Sequence, residues 1–172
     1  MKVLVTAASR HGTTAEIAEA IAGTLREDGL EVDVVEPDEV ASVDGYGAVV
    51  IGSAVYAGHW MGSAKELIER HRDELRDRVV FLFSSGPLGD PPKPVEEPVD
   101  VAAMDAATGA IDHRIFAGRL APDELSMPER FIVRLVHAPS GDFRPWADIT
   151  TWAHEIARFV NEGAVRVRAG VD

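Results

Sequence analysis

The sequence predicts an open, doubly wound α/β fold, in which five parallel strands in the order 2-1-3-4-5 have helices on both faces. Two unbroken apolar runs, 48–51 and 79–83, have the pattern of strands that are covered on both sides. Strand-like and helix-like segments alternate about five times along the chain. Because parallel strands need crossover connections, which are right-handed and place helices on both faces, this alternation favours a parallel sheet.

The N-terminal segment predicts the first strand and the first helix. The apolar run 3–5 leads into small residues, as a buried strand does before a turn. Ile17, Ile21 and Leu25 are spaced four apart and indicate one buried face of a helix. Gly29 is placed to end this helix in the left-handed conformation that glycine adopts without strain.

The later elements follow from the same patterns. The alternating segment 31–35 predicts strand 2 near a sheet edge, the runs 48–51 and 79–83 predict strands 3 and 4, and 115–117 predicts strand 5. The helix between strands 3 and 4 is predicted to place on one face Met61, Ala64, Leu67, Ile68, His71 and Leu75. The buried positions predicted for the last helix are Ile149, Trp152, Ala153, Ile156, Ala157 and Val160.

Composition and charge exclude several classes of function. The 172 residues suffice for one domain at roughly 150 residues per domain, with 46% apolar and 27% charged residues, as in ordinary globular proteins. The net charge of −12 disfavours nucleic acid as a partner, because the protein would repel phosphate backbones. The chain has no cysteine, which excludes disulfides, thiolate metal sites and cysteine nucleophiles. Any redox chemistry must therefore use a bound cofactor.

The sequence also bears on location, domains and metals. The N-terminal apolar run is too short for a signal peptide and no run of about 18 apolar residues occurs, so we expect a cytoplasmic protein. We expect a single domain over 1–172, with an insertion at about 120–145 between strand 5 and the last helix, since this stretch is too long for a plain connection. The histidines lack the spacing of a zinc site and no Gly-x-Ser-x-Gly motif occurs, so neither a metal site nor a hydrolase is predicted.

In such sheets, ligands bind beyond the carboxyl ends of the strands at the switch point, here between strands 1 and 3. The loop 9–14 follows strand 1 and places hydroxyls and free backbone N–H groups at the positive end of a helix dipole, which suits a phosphate. Its single glycine distinguishes it from the dinucleotide and Walker motifs. The alternative is an ordinary helix start, in which Thr13 and Glu16 form a capping box.

Two further loops reach the same edge. The loop 53–60 presents Tyr56, His59 and Trp60 among small residues, and flat rings beside a flexible backbone suit a planar ligand. The alternative is that the aromatic residues pack on neighbouring helices. The glycines of 84–89 would let backbone amides approach a ligand closely, although a simple turn would also explain them.

Together these loops resemble those of the flavodoxin-like family, whose first loop has the pattern Ser/Thr-x-Thr-Gly-x-Thr. Ser9, Gly12 and Thr14 match this pattern, while His11 stands where a threonine is usual. The resemblance implies that the cofactor is FMN, with its phosphate in the first loop and its ring between the other two. The contact residues so implied are Ser9, Arg10, His11, Gly12, Thr13, Thr14, Ser53, Ala54, Val55, Tyr56, Ala57, Gly58, His59, Ser85, Gly86, Pro87, Leu88 and Gly89.

Over most of its length the chain is similar to the menaquinone-dependent protoporphyrinogen IX dehydrogenase branch of that family. The similarity lies in 9–14, 51–59, 117–120 and 129–135, in the same order along the chain. It implies an FMN-dependent oxidoreductase that removes two electrons from a porphyrinogen-type substrate and transfers them to a quinone. The substrate contacts so implied are Arg119, Arg130 and Arg134.

Within the insertion, 128–137 has the pattern of an amphipathic helix with basic side chains. Such a helix suits an anionic membrane surface, a quinone or the carboxylates of a porphyrin-like substrate. The alternative is that the helix covers the sheet edge, with its apolar face buried and its arginines solvated. The apolar face consists of Phe131, Ile132, Leu135 and Val136, and the basic residues are Arg130, Arg134 and His137.

Three functions stay open at this point. The first is the FMN-dependent oxidoreductase, in which the flavin carries the chemistry and no side chain is predicted as an acid or a base. Its partners would be a porphyrinogen-like molecule and a quinone, with peripheral membrane contact through 128–137. The second is a flavodoxin-type electron carrier that uses its acidic surface to dock on basic partners. The third is a non-enzymatic binding module that has lost FMN.

Overall fold

The structure, a computed structural model, describes residues 1–86, 97–121, 123, 125–135 and 140–169. Its strands are β1 (Lys2–Ala8), β2 (Glu31–Val34), β3 (Ala48–Tyr56), β4 (His59–Trp60), β5 (Val79–Ser85), β6 (Asp112–Phe116), β7 (Arg119–Leu120) and β8 (Gly141–Asp142). Its helices are α1 (Thr13–Glu27), α2 (Gly62–Arg70), α3 (Arg72–Arg76), α4 (Val101–Thr108), α5 (Met127–Leu135) and α6 (Trp146–Ala169), with a 3-10 turn at Pro37–Glu39.

Parallel strands make up the main sheet, in the order β2-β1-β3-β5-β6. This is the predicted order 2-1-3-4-5 of an open α/β sheet, and the prediction is confirmed. The short strand β4 pairs antiparallel with the end of β3 and was not predicted. Because β1 and β3 are neighbours while the chain leaves them toward opposite edges, the switch point lies between them, as expected.

Each face of the sheet carries its own hydrophobic core, because successive side chains of a strand point to opposite sides. Val3 and Val5 pack with α1 and α6 on one side. Leu4 packs with α2, α3 and α4 on the other. On the first side the ring of Phe83 meets that of Trp152 edge-on, with centroids 6.2 Å apart.

The helix predicted across 61–75 is not continuous. His71 has φ −115° and ψ 25°, which ends α2, and α3 begins at the next residue. The apolar spacing persists across the break because Leu67 and Leu75 pack in the same core. His71 itself is buried and accepts a hydrogen bond from Arg70 Nε at 3.4 Å, which confirms its interpretation as a hydrogen-bonded packing residue.

Two elements near the far edge of the sheet differ from expectation. Strand β6 begins at Asp112 and ends before Ala117, whereas 115–117 was predicted. The first residues of β6 are polar, which an edge strand tolerates because only one of its sides pairs with another strand. For this reason no apolar run in the sequence indicated where the strand begins. The helix α4 was missed as well, although Val101 and Met104 anchor it in the core.

The segment between β6 and α6 holds an antiparallel pair, β7 and β8, with α5 between them. Met127 and Phe131 on α5 are 78% and 70% exposed, so the alternative in which this helix buries its apolar face is wrong for Phe131. Val136 and His137, predicted to continue the helix, lie outside the described residues. Within the described part of the chain, no helix combines the length and apolar character that a membrane crossing requires.

Candidate functional site

The loop after β1 leads into α1 through Gly12, an N-cap residue that has no side chain with which to cap the helix. Gly12 occupies the N-cap position with φ 77°, a left-handed conformation that favours glycine. The N–H of Thr14 donates to Ser9 Oγ at 3.3 Å, which turns the Ser9 hydroxyl into the loop. The capping box predicted for Thr13 and Glu16 is wrong, because the N-cap residue is Gly12 and the Glu16 carboxylate pairs with arginines. The N–H groups of the first turn are therefore suited to an anion.

Glu16, in the first turn of α1, pairs with two arginines: one in β7 and one that follows β8. Arg144, whose side chain is 4% exposed, forms an ion pair with Glu16 Oε2 at 2.5 Å and another with Asp142 at 2.6 Å. Arg119 lies 3.7 Å from Glu16 Oε1. The guanidinium of Arg144 also stacks 4.4 Å from the ring centre of Trp146. These contacts fix the β7–β8 pair beside the first turn of α1.

A second carboxylate, that of Glu129 on α5, joins the insertion to the loop 9–14. Its Oε1 lies 3.2 Å from Arg10 and 3.2 Å from His11 Nε2. Its Oε2 accepts hydrogen bonds from the hydroxyl of Ser126 at 2.6 Å and from the Ser126 N–H at 2.8 Å. The Ser126 donors, then His11 and Arg10, lower the pKa of Glu129 to about 2. Glu129 is thus a carboxylate at neutral pH, and it holds α5 against the loop.

The loop 53–60 forms a tight hairpin between β3 and β4. Ala57 and Gly58 both have positive φ, at 49° and 80°. The hairpin is held from outside, because Gly58 O accepts the N–H of Val99 at 2.9 Å. Asp100 Oδ2 accepts the N–H of Trp60 at 2.8 Å and lies 3.2 Å from His59 Nδ1. Segment 99–100 therefore sets the position of this loop.

Tyr56 is the last residue of β3. Its side chain is 42% exposed. Partial burial raises the pKa of its phenol, the positive charge of Arg10 opposes this rise, and the negative charge of Glu129 adds to it. The phenol is therefore within electrostatic reach of both charges, and the structure brings loops 9–14 and 53–60 together at α5.

The loop after β5 approaches the end of β3 closely. A Cβ added to Gly86 would lie 3.1 Å from Val55 Cβ, so this position accepts little beyond glycine. The Gly86 N–H donates to Phe116 O at 3.3 Å, which ties the loop to β6. Ser85 is almost fully buried. The predicted contacts Pro87, Leu88 and Gly89 lie outside the described residues.

Several of the predicted site residues turn inward rather than toward the edge. The Ser53 hydroxyl is fully buried, donates to Ala54 O at 2.8 Å and accepts the Met61 N–H at 2.9 Å. Ala54 is also buried, and so is Trp60, for which the packing alternative is confirmed. Among the predicted FMN contacts that the structure describes, the exposed side chains are those of Arg10, Tyr56, Ala57 and His59.

The predicted substrate residues differ in accessibility. The side chain of Arg119 is 25% exposed and lies beside Glu16. Arg130 is exposed and donates to Leu125 O at 3.0 Å and to Asp123 O at 3.2 Å, which braces the turn before α5. Arg134 is exposed on the same helix.

A polar chain behind the edge was missed by the sequence analysis. The Trp60 indole N–H donates to Ser84 Oγ at 2.8 Å, and Ser84 Oγ lies 2.9 Å from His113 Nε2. His113 Nδ1 lies 3.1 Å from Glu97. Burial lowers the pKa of His113, and the neighbouring Glu97 opposes this shift. A neutral ring fits both contacts, because the Ser84 hydroxyl then donates to Nε2 and Nδ1–H donates to Glu97. Ser84 is fully buried and cannot meet a substrate, so this chain is structural.

The strand order and the open loop at the start of α1 define a flavodoxin-like α/β protein. A family model described as a flavodoxin domain matches residues 4–144, and the chain belongs to this family. An archaeal flavodoxin superposes with a TM-score of 0.60 at 17% identity, over 94% of this chain and 99% of its own. A flavodoxin from Streptococcus pneumoniae TIGR4 gives 0.62 at 19% identity, over 92% of this chain and 99% of its own.

Among curated proteins, the chain is similar to the protoporphyrinogen IX dehydrogenase [quinone] of Escherichia coli strain K12. The two are 24% identical over 181 residues, which cover 96% of this chain and 100% of that protein. Membership of the flavodoxin family indicates that the cofactor is FMN. The residues present fit this group, because α1 begins after the left-handed Gly12, which leaves open space for a phosphate at the positive end of the helix.

Proposed function

We propose that this protein is an FMN-dependent oxidoreductase that oxidises a porphyrinogen-type substrate and reduces a quinone. The protoporphyrinogen IX dehydrogenase [quinone] of Escherichia coli supports this activity by its similarity over 96% of this chain. Bound FMN would supply the redox chemistry, by which two electrons and two protons leave the porphyrinogen and reduce the quinone to a quinol. The chain itself binds and orients both partners.

The cofactor contacts follow from the geometry of the edge. Ser9, Thr14 and the backbone around Gly12 hold the phosphate at the positive end of the α1 dipole. The hairpin at Tyr56 and the backbone at Gly86 flank the ring, since both lie at the carboxyl edge beside the switch point. The remaining predicted contacts in 9–14, 53–59 and 85–89 stay part of this proposal.

One observation carries the choice of an enzyme over a carrier: Glu129 places α5 directly against the loop 9–14. Because of this contact, a helix with the exposed basic residues Arg130 and Arg134 stands beside the cofactor loop. Its exposed Phe131 adds apolar surface. A porphyrinogen has an apolar ring system and carboxylates, and this mixture of arginine and apolar side chains is complementary to both.

We assign substrate binding to Arg130 and Arg134, with Arg119 as a third contact at the base of the insertion. Contact of 128–137 with an anionic membrane, where a quinone would be met, is part of the same proposal. The insertion at 120–145 is then the part of the chain that converts a flavodoxin-like domain into a dehydrogenase.

The test is an anaerobic half-reaction assay on protein reconstituted with FMN. A porphyrinogen should bleach the flavin, and a menadione-like quinone should restore its absorption. Replacing Arg130 and Arg134 together by alanine should raise the KM for the porphyrinogen by roughly tenfold, while quinone reduction by chemically reduced protein stays unchanged. Arg72→Ala, at an exposed position on α3 and outside the insertion, is the control for the loss of a single positive charge.

An electron carrier is the second candidate, and the acidic surface favours it. A net charge of −12 would guide docking to basic protein partners. In that case the flavin would exchange electrons singly with protein partners, and the porphyrinogen would leave its absorption unchanged. The same anaerobic assay therefore distinguishes the two functions.

A further inference from the structure

Glu129 ties together two parts of the chain that are far apart in sequence. It is separated from His11 by 118 residues, and a single carboxylate oxygen, Oε1, faces both His11 Nε2 and Arg10 at 3.2 Å. The Glu129 side chain is only 18% exposed, whereas Arg10 is 57% exposed. The contact is therefore a tertiary anchor for α5 and not an incidental surface pair.

The proposed site of the FMN phosphate draws on the same loop. A phosphate monoester carries about −1.5 to −2 charges near neutral pH. The basic side chains within 9–14 are those of Arg10 and His11. The nearby Arg144 is already engaged by Glu16 and Asp142. A phosphate in this loop and the carboxylate of Glu129 thus face the same two side chains.

We propose that the FMN phosphate and Glu129 compete for Arg10 and His11, so that loading of the cofactor weakens the Glu129 anchor of α5, while the ion pairs of Arg144 and Arg119 with Glu16 keep the insertion beside the loop. Glu129 is then a positioning residue for α5, and it sets how strongly the loop distinguishes a phosphorylated flavin from an unphosphorylated one. Because linkage is reciprocal, a stronger Glu129 anchor weakens FMN binding by the same factor by which FMN weakens the anchor. This inference rests on the FMN site of the proposed function and not on its substrate.

The first test compares the binding of FMN and riboflavin, which lacks the phosphate. Glu129→Gln removes the charge and keeps the shape of the side chain. Its Kd for FMN should fall by about threefold or more at low ionic strength, because the competing anion is gone, while its Kd for riboflavin stays unchanged. Glu155→Gln is the matched control, since Glu155 on α6 is half exposed and pairs with Arg114 at 3.3 Å. It makes the same change in net charge and should alter neither Kd.

The second test uses the unmodified protein, so it does not depend on how the variant folds. Hydrogen exchange of the α5 amides should accelerate when FMN binds and stay unchanged when riboflavin binds. Protection of α5 by FMN, or a Glu129→Gln protein that binds FMN no more tightly than Glu155→Gln, would overturn the inference. Failure of the unmodified protein to bind FMN would overturn it together with the proposed function. The expected binding results without any oxidation of a porphyrinogen would refute the substrate assignment alone.

Discussion

Gly52 offers a direct test of the packing that supports the cofactor edge. It lies on β3 opposite Phe83 of β5, one residue before the loop 53–60. A Cβ added to Gly52 would lie 2.1 Å from Phe83 Cζ, whereas carbon atoms in contact are about 3.5 to 4.0 Å apart. The ring has no free space to move into, because Phe83 is fully buried and packs against Phe116 and Trp152 with centroids 6.2 Å away.

Gly52→Ala should therefore destabilise the protein by about 1 to 3 kcal/mol, the usual effect of overpacking a core. For a chain of this size the Tm should fall by roughly 2 to 12 °C. Gly23→Ala is the matched control, because nothing lies within 4 Å of the added Cβ in α1 and alanine gains up to about 1 kcal/mol over glycine inside a helix. Urea unfolding followed by circular dichroism measures both variants. Equal stability of Gly52→Ala and the unmodified protein would refute the packing argument.

Three further outcomes are expected from the buried polar groups. Burial keeps the pKa of His113 below its ordinary 6.5, so below that pH the unfolded chain binds more protons than the folded protein. The free energy of unfolding should therefore fall as the pH drops through 6.5. A His113→Gln variant that keeps the same pH dependence would contradict this. Ser84→Ala removes the partner of the Trp60 indole and should cost about 1 to 3 kcal/mol in urea unfolding, whereas Ser42→Ala, at an exposed position, should cost almost nothing. Arg144→Met should lower the free energy of unfolding by only about 1 to 2 kcal/mol, since the carboxylate partners of Arg144 are half buried. The loss of these ion pairs should also make the β7–β8 pair susceptible to limited proteolysis. Unchanged cleavage would argue against the anchoring role of Arg144.

The central strands and the order of the parallel sheet were accessible from the sequence because they depend on local patterns. The runs 48–51 and 79–83 reveal buried strands without reference to any partner. The same holds for Gly29, whose φ of 86° follows the end of α1 as expected. The break at His71 was not accessible, because the apolar positions on either side keep helical spacing and only the backbone angles change.

The candidate site could be predicted only where one loop contains it. The pattern of 9–14 pointed to an anion site, but the partners that shape it lie elsewhere in the chain. Arg144 is 128 residues from Glu16, and Glu129 is 118 residues from His11. No periodicity connects residues at such separations, so ion pairs of this kind are found only once the chain has been folded.

The central claim is that this chain holds FMN through its phosphate at the loop 9–14. The most direct measurement is the visible spectrum of the purified protein after incubation with FMN and removal of unbound flavin, repeated with riboflavin and with the exposed Arg10 replaced by glutamine. We expect the absorption of oxidised flavin at close to one FMN per chain, weaker retention of riboflavin and weaker retention of FMN by Arg10→Gln. A colourless protein after incubation with FMN, or equal retention of FMN and riboflavin, would contradict the account.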